Sequence, residues 1–252
     1  MKKAIIVTSA IEVNNDFPLT YSKVRSHFDS EERFRQTVGS LASLDQAMDD
    51  DTTVFLIDIS PNYLIYCNQF SYQKNLVVVG VKDVMPEIWN TVTSHENKSY
   101  CEQLIINTFL ERYKDVLLEY DYFIKFSGRY LVDSHFNVRY FDTVKPGFYF
   151  KKPMEFEWND QWRYEMVDNR QEQGNNKLYQ YCSVIYGWSK EYFQQYVDIG
   201  KVVIEYCGNS ATTHYDVETL LFYLTRQYKE HIHQTPWIIY GWDGTSGRFL
   251  RY

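Results

Sequence analysis

Apolar residues come in short continuous blocks separated by longer amphipathic stretches. Ala4 to Thr8, Val54 to Ile57 and Leu76 to Val79 are apolar or β-branched almost throughout, and Tyr122-Phe123-Ile124 opens a fourth block. Unbroken blocks of this length predict strands covered on both faces. Between the first two lies a helix signature: Asp29 or Ser30 as cap, then Glu31 and Glu32 in the first turn, where the helix dipole favours carboxylates. Phe34, Val38, Leu41 and Leu44 follow at helical spacing, and the pattern stops near Asp49-Asp50-Asp51. Residues 62–70 read as helix or turn. Residues 97–118 read as one helix, with Cys101, Leu104, Ile105, Thr108, Phe109 and Tyr113 at helical spacing. Such alternation predicts an α/β fold: a mostly parallel, twisted, Rossmann-like sheet with right-handed crossovers and helices on both faces.

The second half is less regular. Residues 148–150, 154–158, 182–186 and 236–240 read as strands, 163–177 as a polar loop, and 189–196 as a short helix. A helix opens at 214–218 and runs through Leu220, Leu221 and Leu224, and a Gly-rich tail follows from Gly241 to Arg248. No linker composition interrupts the chain. The expectation is one domain over 1–252, with functional halves of about 1–145 and 146–252.

The net charge of −7 argues against a nucleic-acid partner, which would need clustered cations. No apolar run is long enough for a membrane span. The basic start and apolar run of Met1 to Ala10 soon meet Glu12, Asn14, Asn15 and Asp16, so they read as the first strand rather than a leader. Cys67, Cys101, Cys182 and Cys207 are widely spaced, with no Cys-x-x-Cys pair. Reduced thiols in a cytoplasm are the expectation. The 23 tyrosines suit either a ring-binding site or an aromatic core.

Gly-x-Gly-x-x-Gly, the P-loop and the Gly-x-Ser-x-Gly elbow are all missing. What stands out is the end of the fourth block, where apolar residues give way to Lys125, Ser127, Gly128 and Arg129. Two cations and a glycine at a strand end suit a bound anion. Thr8-Ser9 and Asp58 fall at other strand ends, where ligands of parallel sheets collect. Asp58 either meets a ligand's hydrogen-bond donors or caps the turn with Ser60 and Pro61. Asp216 and Glu218 either take a proton from a hydroxyl or simply stabilise a helix start. His231 and His233, beside Glu230, form a His-x-His that could meet a metal but is more typical of a surface.

This order of elements resembles nucleotide-sugar glycosyltransferases of the GT-A type, in a bacterial or viral polysaccharide-assembly branch. The resemblance rests on residues 4–9, 54–60 and 97–132, on Arg25 to Thr37, and on Asn97-Lys98-Ser99-Tyr100-Cys101-Glu102. It implies hexosyl transfer from a nucleotide diphosphate-sugar to a saccharide acceptor in surface polysaccharide or glycan synthesis, and is compatible with peripheral membrane association. By the same resemblance, Ser9 and Arg25 line the nucleotide pocket, Asp58 meets the base or ribose, and Lys98 lies near the donor. Asp216, by preference, or Glu218 takes the place of the acidic base. One departure is central: Ser127-Gly128-Arg129 stands where the family has Asp-x-Asp, whose carboxylates hold manganese or magnesium. Lys125, Arg129 and Arg248 are then expected to stabilise the leaving diphosphate without a firm metal site, with Asp133 as the fallback ligand. Trp158, Trp162, Tyr186 and Trp188 are expected to stack on acceptor rings. Two other classes compete. A sugar nucleotidyltransferase lacks support, because Ser9-Ala10-Ile11-Glu12 is not a Gly-rich loop. A non-catalytic carbohydrate-binding protein or a degenerate transferase would use the aromatic residues alone.

Overall fold

The computed structural model describes residues 1–70, 73, 75–157, 177–209 and 215–252. The central sheet has the order β10-β6-β9-β4-β1-β2-β3. Its strands are β1 (Lys3–Ser9), β2 (Thr52–Asp58), β3 (Leu76–Gly80), β4 (Tyr122–Ser127), β6 (Phe148–Phe150), β9 (Ile185–Ser189) and β10 (Ile232–Gln234). Strands β3, β2, β1 and β4 run parallel. Strand β9 is antiparallel to both β4 and β6, and β10 runs parallel to β6. A smaller sheet joins β5 (Tyr130–Val132) to the hairpin of β11 (Ile239–Trp242) and β12 (Phe249–Arg251), and β7 (Met154–Glu157) pairs with β8 (Lys177–Gln180). The expected α/β architecture is the observed one.

Period-two alternation within β1 explains why both faces are covered. Ile5 and Val7 enter one core with Leu41 and Leu44 of α1 (Ser30–Asp45). Ala4 and Ile6 enter the other with Ile105, Ile106 and Phe109 of α5 (Lys98–Arg112). Both helices start as their sequences direct. Asp29 accepts from the Glu32 amide at 2.9 Å, and Asn97 accepts from the Tyr100 amide at 3.1 Å. Between β2 and α5 lie α2 (Tyr63–Cys67), α3 (Val81–Val84) and α4 (Pro86–Ser94). The helix expected to run to residue 118 breaks at Tyr113, where φ is −106° and ψ 18°, and resumes as the single turn α6 (Lys114–Leu117). The Tyr113 ring packs 5.2 Å from Phe109 at this corner.

The second half departs further. The strand expected at 182–186 lies at 185–189. Residues 182–184 line the cleft described below, and there the Val184 carbonyl accepts from the Ser127 amide. The short helix expected at 189–196 continues as α7 (Phe193–Gly208), and α8 (Val217–Thr225) follows. The last expected strand begins at Ile239, because its partner is the short β5, with Ile239 opposite Val132.

Candidate active site

A cleft of about 1130 Å³ opens at the carboxyl ends of β1 and β4. Thr8, Ser9 and Ser127 line it from the strand ends, Lys98 and Glu102 from α5, and Asp216 and Glu218 from the start of α8. Gly128 lets the two strand ends close on each other. Its amide donates to the Thr8 carbonyl at 2.9 Å, and a Cβ there would sit 3.1 Å from that same oxygen. The next residue, Arg129, lines the cleft.

Four cations line the cleft close enough to act on one another: Arg25, Arg33, Lys98 and Arg129. Arg25 donates to the His95 carbonyl at 2.8 Å, and Arg33 to Ser26 Oγ at 3.0 Å and to the Ala10 carbonyl. Lys98 Nζ donates to Thr245 Oγ1 at 2.6 Å. Among the described residues none of the four forms an ion pair, and the buried Arg129 Nε has no acceptor. Burial, then Arg129 and Arg33, push the Lys98 pKa down to about 7, while burial and Arg129 lower that of Arg33 to about 9. Crowded, largely buried cations with no ion-pair partner among the described residues are costly unless an anion completes the site.

Each carboxylate is held by protein donors. Glu102 Oε1 pairs with Lys125 Nζ at 2.8 Å and accepts from Thr8 Oγ1 at 2.6 Å. Asp216 caps α8, accepting from the Thr219 amide at 2.7 Å and from Gln180 Nε2 at 3.0 Å. Asp243 caps the turn after β11, accepting from the Ser246 amide at 2.6 Å. Glu218 accepts from the Ser183 hydroxyl. Burial and the neighbouring Asp216 raise its pKa to about 7, against the pull of Ser183.

The structure brings together Ser9, Arg25, Lys98, Ser127, Arg129, Asp216 and Glu218 at the cleft, with Gly128 shaping its floor. Other expected site residues fall elsewhere. Lys125 is fully buried under the floor, bound to Glu102, Ser127 Oγ at 2.8 Å and the Ser183 carbonyl at 2.6 Å, so it faces no ligand. Asp58 is closed by the Ser60 amide at 2.7 Å and the Ile11 amide at 3.3 Å, which makes it the turn cap. Tyr186 and Trp188 are core residues: Trp188 stacks on Tyr196 at 3.7 Å, and Tyr186 bonds the Tyr196 hydroxyl. Neither leaves a ring face for an acceptor. Arg248 is exposed outside the cleft. Asp133 pairs with His135 at 3.0 Å, also away from the cleft. Trp158 and Trp162 lie outside the described residues. His233 is placed against the Pro146 carbonyl, and among the described residues no group of three or more His, Cys, Asp or Glu could hold a metal.

Sequence reasoning missed Arg33, Glu102 and Ser183. Arg33 carried a signal: a cation in the first turn of a helix opposes the dipole and needs another reason to be there. Lys98 and Glu102, spaced i and i+4, imitate an ordinary solvent-facing pair. Ser183 fell inside a segment expected to be a strand.

No family model matches the chain, and no curated protein matches it. Among solved structures, core-mannan synthase A from Aspergillus fumigatus, in its Mn/GDP form, superposes with a TM-score of 0.56 at 9% identity, over 95% of this chain and 74% of that one. The apo form of mouse xyloside xylosyltransferase 1 gives a TM-score of 0.48 at 12% identity, over 93% and 85%. The chain has a GT-A fold. The end of β4, for which the resemblance read from the sequence implied a metal-binding Asp-x-Asp, carries Ser127-Gly128-Arg129. The orphaned polar atom there is a donor, Arg129 Nε, which calls for an acceptor rather than a cation. A guanidinium and a hydroxyl do not form a donor set for a resident divalent ion.

Lys125→Met should destabilise the protein by about 3 kcal/mol, because it strands the Glu102 charge and leaves the Ser183 carbonyl without its donor. Urea unfolding of the two proteins side by side measures this.

Proposed function

We propose that the protein transfers a sugar from a nucleotide diphosphate-sugar to a saccharide acceptor, with cationic side chains in the place of a metal ion. The observation that carries this reading is the cluster of four cations that form no ion pair among the described residues, with the orphaned Arg129 Nε in their midst, at the strand ends of a GT-A fold. Arg129 grips the leaving diphosphate through paired N–H groups, and Lys98 and Arg33 add charge as the glycosidic C–O bond breaks. The electron pair of that bond departs with the diphosphate. Glu218 takes the proton of the acceptor hydroxyl while its oxygen bonds to the anomeric carbon. Glu218 suits this role better than Asp216, whose two oxygens are already engaged by Thr219 and Gln180. Tyr21, exposed at the rim, offers an aromatic face to a ring. The first half of the chain supplies most of the donor side, and the second half supplies the base. No helix among the described residues is long and apolar enough to cross a membrane.

Incubation with a panel of UDP-, GDP- and CMP-sugars tests this reading. The expected result is acceptor-dependent release of free nucleotide that persists in excess EDTA. Loss in EDTA with rescue by manganese would overturn the metal-free mechanism. Sugar binding without turnover would instead assign a carbohydrate-binding role.

A further inference from the structure

We infer that Glu102 holds the sugar being transferred, its Oε2 accepting hydroxyl protons from the donor's hexose ring. The inference rests on the glycosyl-transfer reading above. Oε1 is fully committed to Lys125 Nζ at 2.8 Å and Thr8 Oγ1 at 2.6 Å. Both bonds come from the floor, so they fix the carboxylate plane and leave Oε2 as its open acceptor. No described residue donates to Oε2. The side chain is 27% exposed, and it lines the cleft.

The surroundings narrow what Oε2 can bind. An anionic oxygen repels phosphate, so the diphosphate belongs to Arg129, Lys98 and Arg33. A cation is disfavoured because the positive charge of Arg129 already acts on Glu102, and no group of three or more His, Cys, Asp or Glu among the described residues could hold a metal. A neutral group rich in O–H donors remains, and a sugar ring next to its own diphosphate is such a group. Burial alone would raise the Glu102 pKa, but the charge and hydrogen bond of Lys125, then the Thr8 bond, hold it below the usual carboxylate range. Glu102 therefore stays an acceptor with little basicity, whereas Glu218, pushed the other way, is the better proton acceptor. The two carboxylates flank one hub: Lys125 bonds Glu102 and the Ser183 carbonyl, and the Ser183 hydroxyl bonds Glu218. A ring held at Glu102 thus sits within reach of the base that prepares the incoming hydroxyl.

The test is calorimetric titration with UDP, GDP, UDP-glucose, UDP-galactose, UDP-N-acetylglucosamine and GDP-mannose. The wild-type protein is expected to bind a sugar nucleotide more tightly than its parent nucleoside diphosphate. In Glu102→Gln that advantage should fall by about tenfold or more, with the loss confined to the sugar nucleotide. A Glu102→Gln/Lys125→Met double variant leaves no buried ammonium unpaired and should show the same selective loss, which covers a failure of the single variant to fold. Equal weakening of nucleoside diphosphate and sugar nucleotide, or an undiminished sugar advantage in the double variant, overturns the inference and leaves glycosyl transfer standing. Wild-type protein that binds none of the six overturns both.

Discussion

Glu218→Gln is expected to lower kcat by about 10²- to 10⁴-fold, the range a positioned general base supplies. The amide keeps the shape and can still meet Ser183, but it accepts no proton. Affinity for a nucleoside diphosphate should change little, because Glu218 bonds Ser183 and none of the four cations is among the charges that act on it. The pH dependence follows from two groups brought to similar values by opposite causes. Burial and Asp216 raise Glu218 to about 7, and burial with Arg129 and Arg33 lowers Lys98 to about 7. Activity needs Glu218 deprotonated and Lys98 protonated, so kcat/KM should form a narrow bell near pH 7. Glu218→Gln should remove the acid limb, and Lys98→Met the alkaline limb. A profile flat from pH 5 to 8 would remove both assignments.

The same residue should make stability run against activity. A carboxyl whose folded pKa lies above its unfolded value binds its proton more tightly in the native state. Its unfavourable effect is therefore nil below the unfolded value of about 4.3 and grows as pH rises through 7. Above pH 7, Glu218→Gln should melt higher than the wild type, and at pH 4 the two should coincide.

Arg129→Met should lower kcat/KM by about 10²- to 10³-fold, the loss seen when one preorganised charge-stabilising donor is removed. Methionine keeps the apolar length and removes the fork. Lysine at this position should recover only part of the loss, since a point charge cannot grip two phosphate oxygens in one plane. Steady-state assays on the three proteins at matched ionic strength measure this. If Arg129→Met retained full turnover, the leaving diphosphate would have to be stabilised elsewhere.

Much of the first half was legible because local chemistry and global fold agree there. The runs in β1, β2 and β4 are buried on both faces, and Asp29 and Asn97 cap the helices they precede. The strand-end rule then located the cleft, together with Ser9, Ser127 and Arg129. What could not be read is pairing across long sequence separations. Lys125 and Arg129 look alike in the sequence, yet one is neutralised by Glu102, 23 residues away on a helix, and the other is left open. Tyr186 and Trp188 carry the composition of a sugar platform, but whether an aromatic ring faces solvent depends on what covers it, and α7 supplies Tyr196 for that purpose. The late strands shifted because β9 and β11 take their register from β4 and β5, partners with no local signature.

The turn after β11 bears on the order in which the site comes into being. Thr245 anchors Lys98, and the Gly244 carbonyl accepts from the His27 amide at 2.7 Å, so residues near both ends of the sequence meet over the cations. During synthesis, β1, α5 and β4 leave the ribosome well before residues 239–252. Until those residues emerge, Arg129 and Lys98 lack the wall that keeps water from them. A nascent chain would thus hold a loose, hydrated patch of cations, with no enclosed place in which an anion could be held.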